Sequence, residues 1–388
     1  MSTQFDLCIV GGGIVGAGIA QAAAVNGLST IIVEKKGWGS GNTSKSSKLI
    51  HGGLENVSAF NWFTARERLS ERKIIQNIAT DLVEPQWFYR PVYAQNRQKP
   101  WQNALQLRIY DKLAGDANLA PHHQLAPEQW RELQGLNQHN LRAVFAFQEL
   151  QTDNLQLAHE VLRSAKQHGA MALCPVTFDE AWQTDDGYRV RVVKGERSRD
   201  FDCRFLVNAA GAWSDQVAGK IRSLDPSPKT RQIKCTYIEY KESLGSNRFY
   251  VDGLTGGAPV TILPWRGGTL VGPAEQVFSG NPDRIDPAVA EVEYLTSTMR
   301  YHFPHFRHEP FDAWSGIRVE PPSRAVAKTH DARLYMREKA RYLCIYGVQM
   351  TSYRAIAEKA VLGVMRCLNG RSEPPPEACY ISAASIPI

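Results

Sequence analysis

The chain has 388 residues, 43% hydrophobic and 22% charged, an ordinary globular composition with room for two or three domains or two interleaved ones. Its net charge of +6, from 45 basic and 39 acidic residues, is too small and too scattered to mark a nucleic-acid protein, so no nucleic-acid partner is expected. The 7 cysteines show no CxxC spacing and fall mostly in apolar runs (Cys8, Cys344, Cys367), which predicts reduced core thiols in a cytoplasmic protein, without disulfides or a metal site.

Residues 5–34 read FDLCIVGGGIVGAGIAQAAAVNGLSTIIVE. The apolar run Phe5 to Val10 predicts a strand, and Gly11, Gly12 and Gly13 a tight turn. A helix opens at Ile14, Val15 and Gly16, and a β-branched run from Ser29 to Val33 predicts a second strand ending on Glu34. Strand, glycine turn, helix, strand and acid in this order form the βαβ unit that binds an adenine dinucleotide. Gly11 permits the turn, Gly13 leaves the backbone open to a pyrophosphate, and Gly16 lets the helix pack on the sheet. The amides at the helix start suit a phosphate, and Glu34 is placed for a ribose 2′-hydroxyl. Asp6, Gln21, Asn26 and the glycines argue against a membrane span, and no basic residue precedes the run as in a signal peptide. No other run approaches a spanning helix, so any membrane contact is expected to be peripheral, at the inner face.

Lys36 to Lys48 (KGWGSGNTSKSSK) has linker composition, yet its place after the second strand lets it supply hydroxyls and amides to a cofactor. Leu155 to Gln167 has helical periodicity, ended by Gly169. Asp185-Asp186-Gly187 predicts a turn between strands Phe178 to Thr184 and Tyr188 to Val193, and Arg204 to Ala209 is a further apolar strand. Lys234 to Tyr240, Arg248 to Val251 and Val260 to Val271 read as antiparallel strands, with Gly267-Gly268 as a hairpin turn. Tyr342 to Tyr346 reads as a buried strand and Tyr353 to Leu368 as an amphipathic helix stopped by Asn369-Gly370, before a proline-rich tail beyond Glu373.

Several short motifs then fall in register. SSKLIHGG (Ser46 to Gly53), Ala65 to Lys73, Tyr110-Asp111-Lys112-Leu113, VNAAGAWS (Val207 to Ser214), Ile262 to Trp265, Ser315-Gly316-Ile317-Arg318 and Thr351-Ser352-Tyr353-Arg354 stand in matching order along the chain. Over about residues 5 to 365 the sequence resembles the FAD-dependent glycerol-3-phosphate dehydrogenases of the D-amino-acid oxidase superfamily. The resemblance implies a mixed α/β fold: a Rossmann-type FAD-binding domain from residues 1–80, 146–230 and 312–372, and an antiparallel-sheet substrate domain from 81–145 and 231–311. Residues 373–388 would be a tail, with no room for the helical C-terminal domain usual in that family.

The same resemblance, added to the glycine motif, implies FAD contacts at Gly11, Gly13, Ile14, Val15, Gly16, Glu34, Lys35, Thr43, Ser44, Ser46, Ser47, His51, Gly52, Val176, Ala210, Gly211, Trp213, Gly316, Gly347, Val348, Gln349, Met350 and Thr351. Backbone amides after Gly347 would face the flavin N1–C2=O edge, where reduction develops negative charge. For chemistry it points to His51, Arg318, Tyr237, Gln349 and Tyr353. His51 and Tyr353 also have structural readings, as a glycine-turn histidine and a packed helix start. Arg318 fits either a substrate anion or an internal ion pair.

Departures from the family pattern cluster at the substrate. Where an arginine and an aromatic follow HGGL, this chain has Glu55 and Asn56; a lysine beside the flavin is Gln349; the KGSH histidine is Tyr237; and GTTD reads Gly272-Pro273-Ala274-Glu275. A phosphate dianion needs several charge-assisted hydrogen bonds of about 1.5–3 kcal/mol each. Losing two cations therefore removes on the order of 4 kcal/mol, roughly a thousandfold in affinity, unless Lys48 or Arg324 compensates. The expected activity is FAD-dependent oxidation of a CH–OH or CH–NH group on a small polar, anionic substrate other than glycerol 3-phosphate. The alternatives are a quinone-linked glycerol-3-phosphate dehydrogenase, an amino-acid or amine oxidase using O2, and a regulatory protein that keeps FAD as structure. Quinone, O2 or a redox protein would accept the electrons.

Overall fold

Apolar β-branched runs bounded by glycine turns form the centre of the fold. The computed structural model describes residues 4–58, 61–222, 224, 229–254, 257–320 and 332–369. The chain opens with β1 (Gln4–Val10), α1 (Ile14–Val25) and β2 (Thr30–Val33), within a residue of the predicted bounds. Then come β3 (Leu49–Ile50), α2 (Leu54–Ser58), α3 (Trp62–Ile78), β4 (Val83–Tyr93), α4 (Pro100–Ala114), β5 (His123–Gln124) and β6 (Leu141–Thr152). α5 (Asn154–Gln167), capped by the Asp153 carboxylate on the amides of Leu155 and Gln156, leads to β7 (Met171–Leu173). β8 (Thr177–Thr184), β9 (Gly187–Lys194), β10 (Arg197–Asn208), α6 (Ser214–Ala218) and β11 (Ile221–Arg222) follow. The last third contains β12 (Arg231–Tyr240), β13 (Arg248–Val251), β14 (Val260–Trp265), β15 (Gly268–Phe278), α7 (Val289–His302), β16 (Asp312–Glu320), β17 (Arg333–Arg337), β18 (Tyr342–Tyr346) and α8 (Tyr353–Asn369).

The first sheet has a parallel centre, β7-β2-β1-β10-β18. Strand β10 changes partner along its length: its first half is antiparallel to β9, its second half parallel to β1 and β18. Helices α1, α5 and α8 cover one face, with Ile19, Leu157 and Val361 in the same apolar cluster as Leu7 and Ile9. The β8–β9 hairpin covers the other, where Phe178, Val190 and Val192 meet Cys8, Val10 and Ile31. A helix walled in on both sides must be apolar all round, which explains the alanine run of α1. The second sheet runs β16-β12-β15-β14-β13-β4-β6-β3 and is antiparallel except at β13–β4. Helix α7 covers one face through Leu295 and Met299, with Phe303 just past its end, and α2 to α4 cover the other through Leu54, Leu69 and Leu107.

Several expectations need adjusting. β10 begins at Arg197, earlier than the apolar run suggested, because its polar start pairs with β9 through Arg189–Asp202 and Arg191–Asp200. The β14–β15 turn is Arg266-Gly267, both at positive φ (49° and 84°), and Gly268 already belongs to the strand. β16 and β6 lie in the second sheet, although the resemblance implies that residues 312–320 and 146–152 belong to the FAD-binding domain. They cross the junction: Ile317 and Val319 pack into the first sheet's core while their backbone pairs with β12. Gly370 and the tail lie outside the described residues. Among the described residues no helix is long and apolar enough to cross a membrane.

A Cβ at Gly16 would lie 1.9 Å from the Gly11 carbonyl oxygen. Gly16→Ala should therefore push α1 off the turn and cost about 1–3 kcal/mol, read as a lower urea midpoint at unchanged slope.

Candidate active site

A single elongated cavity of about 1110 Å3 begins at the C-terminal ends of β1, β2 and β10 and continues beneath the second sheet. It slightly exceeds the size that holds a drug-like ligand. At its first end the glycine turn is fixed by contact. Gly11 sits at φ 111°, and a Cβ there would be 2.5 Å from Ala209 O; one at Gly12 would strike the Trp38 ring at 2.5 Å. A Cβ at Gly13 would meet only Thr43 Oγ1, at 3.1 Å, so the backbone there stays approachable. Thr43 Oγ1 accepts from the Ile14 amide at 3.0 Å and caps α1 from the serine-rich loop. The Glu34 carboxylate accepts from the amides of Gly12 and Lys36, both at 2.8 Å, and so stands fixed in the cavity wall. Helix start, approachable backbone and fixed acid make this end fit an adenine dinucleotide.

Most of the expected cofactor residues line this cavity: Gly11, Gly13, Ile14, Val15, Glu34, Lys35, Thr43, Ser46, Ser47, His51, Val176, Ala210, Gly211, Trp213, Gly316, Gly347, Val348, Gln349 and Met350. Four do not, and their contacts explain why. Gly16 packs on Gly11. Ser44 Oγ turns back to the carbonyls of Ser40 and Gly41. The Gly52 amide donates to Glu149 Oε2 at 3.1 Å, and Thr351 Oγ1 donates to His51 O at 2.8 Å. These last two hold the wall in place from behind. Gln349 lines the cavity, but its Oε1 is itself buried and has no hydrogen-bond partner among the described residues.

The far end is lined by His51, Glu55, Glu149, Tyr237, Tyr250, Glu275 and Arg318. Arg318 is already paired, Nη2 lying 3.1 Å from Glu275 and 3.4 Å from Glu320, and Arg231 reaches Glu320 at 3.5 Å. Glu55 lines the cavity but is no bare anion: Arg68, nearly buried, holds it at 3.2 Å, and His51 Nδ1 is 4.0 Å away. Tyr237 stacks on Trp314 with centroids 4.5 Å apart, and burial, with Cys235 and Glu275 nearby, pushes its phenol well above the ordinary range. It stays protonated near neutrality, so it can donate a hydrogen bond but is a poor base. Tyr353 is fully buried and packs on α1, where a Cβ at Gly18 would approach its ring to 2.9 Å; it is a core residue away from the cavity. Asn56 is also buried outside the lining. Lys48 turns to the Ser44 carbonyl at 2.5 Å between the rings of Trp265 and Trp314, outside the lining, and Arg324 lies outside the described residues.

Sequence reasoning missed the cluster behind the His51–Gly53 turn. Glu149 on β6 accepts from the fully buried Arg72 at 2.8 Å, from Tyr110 and from the Gly52 amide. A Cβ at Gly52 would lie 2.2 Å from Tyr110 Oη. Tyr110 was visible as part of a motif, but nothing in sequence distinguished Glu149 from any other polar residue on a strand.

Comparison with known proteins agrees with this geometry. The profile of the family described as DAO, FAD dependent oxidoreductase, matches residues 6–351. The chain is 28% identical to a glycerol-3-phosphate dehydrogenase of Synechocystis, covering 96% of this chain and 72% of that protein. It is 27% identical to an alpha-glycerophosphate oxidase of Streptococcus pyogenes, covering 81% of this chain and 54% of that protein. The structure of a glycerol-3-phosphate dehydrogenase from Bacillus halodurans complexed with FAD superposes with a TM-score of 0.75 at 23% identity, over 97% of this chain and 67% of that one. The chain thus spans roughly half to three-quarters of the length of the curated relatives it matches.

Burial lowers the Lys48 ammonium from 10.5 to about 8, against the opposing pull of Asp153 and Glu239. Between those values the unfolded chain binds the extra proton, so this lysine makes stability rise with pH from about 8 to 10.5. Lys48→Met should flatten that rise in urea midpoints taken across the window.

Proposed function

The chain belongs to the FAD-dependent oxidoreductase family, and from that premise we propose that it takes a hydride from a carbon bearing a hydroxyl or an amine on a small polar substrate. FAD, when bound, supplies the hydride acceptor at N5, and quinone, O2 or a redox protein then takes the electrons. The residues around the far end of the cavity would position the reacting carbon. Tyr237 offers a phenolic donor held in register by Trp314, and His51 sits on a turn braced by Glu149 and Thr351. The Gly347 turn, at φ 70°, brings backbone to the same wall.

The observation that carries the substrate reading is the internal pairing of charge. Arg318 Nη2 pairs with Glu275 and Arg68 pairs with Glu55, while Arg318 Nε is buried with no partner among the described residues. A phosphate dianion bound at Arg318 would displace Glu275 or lie beside its carboxylate, and either removes much of the gain from the new bonds. This argues against glycerol 3-phosphate as the substrate. A second reading follows from the same pair. Arginine and glutamate side by side, 3.1 Å apart and both in the lining, complement the carboxylate and ammonium of an amino acid. Peroxide release in air would mark that reading as an oxidase.

Anaerobic titration of the flavin-loaded protein, watching the oxidised flavin band, tests both. Glycerol 3-phosphate at submillimolar concentration should leave the band unchanged in protein that dithionite still reduces, while a hydroxy acid or amino acid bleaches it. Bleaching by glycerol 3-phosphate would overturn the reading of the pocket. Glu275→Gln should free Arg318 and raise affinity for a simple anionic substrate analogue about tenfold, measured by the perturbation of the flavin spectrum.

A further inference from the structure

Between β15 and α7 the chain leaves the second sheet and crosses to the first. Its tip is shaped by Asn281, whose Oδ1 accepts from the Asp283 amide at 3.0 Å and whose carbonyl accepts from the Arg284 amide at 2.9 Å. There Asp283 Oδ1 meets Lys35 Nζ at 2.9 Å and Lys36 Nζ at 3.1 Å, the two residues directly after Glu34. Lys35 Nζ also lies 4.3 Å over the Trp213 ring, so carboxylate, ammonium and indole stand together at the mouth. Pro282 is buried, and Ile285 packs against the first sheet's core, as Val176 and Trp213 do. The segment is anchored at its base as well: Lys234 Nζ donates to Asp286 O at 3.2 Å and pairs with the buried Glu291 at 3.0 Å.

We propose that residues 281–286 form the outer wall of the site for the FAD adenosine, a strap from the second sheet that Asp283 pins to Lys35 and Lys36. The inference rests on the reading of the Glu34 end of the cavity as the adenosine end. Residues 282 to 286 all line that cavity, so the strap faces the cofactor and not merely the neighbouring sheet. The lysines' hydrogen bonds outweigh partial burial and hold the Asp283 carboxyl down to about 2, so the pin stays charged across the neutral range. Both pairs are solvent-exposed, with side chains 31% and 59% accessible on the lysines and 36% on Asp283. Exposed pairs are individually weak and screened by salt. The strap is therefore a latch on cofactor release, not a main source of affinity, and Ile285 and Pro282 supply the apolar contact that the latch keeps seated.

The test uses the FAD-loaded protein and reads FAD release as the rise in free-flavin fluorescence after dilution, at low and high salt. Asp283→Asn should release FAD about threefold to tenfold faster at low salt and lose most of the acceleration that salt causes in the parent. Lys36→Gln should act in the same direction but less. The two together should do no more than Asp283→Asn alone, since they break one cluster. Thermal melts of the variants with FAD removed should match the parent, because the pairs lie on the surface. Glu34→Ala is the control for the underlying reading. If it speeds release while Asp283→Asn and Lys36→Gln do not, the strap is wrong and the adenosine end stands. If it leaves release unchanged, the adenosine reading falls and the strap with it.

Discussion

The closeness of α1 to the turn that precedes it is the constraint on which the rest of the structure depends. With no side chain at Gly16, the helix rests on the Gly11 carbonyl, and the turn in turn rests on Ala209 and Ala210, just past the end of β10. That contact sets the helix start at the rim of the parallel sheet, where its amides and partial positive charge face the cavity. Glu34 then closes the geometry by holding the Gly12 and Lys36 amides with one carboxylate. Any residue with a Cβ at these points would separate sheet, turn and helix, and the cavity would lose its floor.

The second sheet gains its role from segments that belong to both halves. β16 pairs with β12 yet sends Ile317 and Val319 into the first sheet's core, and Gly316 passes so close to Lys45 O that a Cβ would lie 2.5 Å from it. β6 carries Glu149 to the back of the His51–Gly53 turn, where Arg72 and Tyr110 complete a buried network. A buried pair of this kind adds little net stability, but removing one partner leaves an uncompensated charge, so it fixes position well. The result is a turn in the cavity wall held from the second sheet and, through Thr351, from the residues just before the last helix.

Charge shows how far residue identity alone can mislead. Glu55 in place of a family arginine reads as a reversed pocket charge, yet Arg68, thirteen positions on in α3, neutralises much of it. Arg318 reads as an anion partner, yet Glu275 and Glu320 hold it. In both cases the sequence names one member of a pair whose other member is brought near only by folding.

The sequence by itself determined the βαβ unit, its turn and its acid, because those depend on local sterics and on periodicities of 2 and 3.6 residues that neighbours in the chain carry. It also determined most of the cavity wall, through short motifs whose glycines mark close backbone approach. Tyr353, read as a candidate for chemistry, went to the core because α8 packs against Gly18 of α1, a contact 335 positions apart in the chain. Glu149, Asp283 and the pairing of Arg318 were likewise decided only by tertiary structure. Hydrogen bonds and ion pairs form between whichever groups folding places within about 3 Å, and no local pattern records a partner that is distant along the chain.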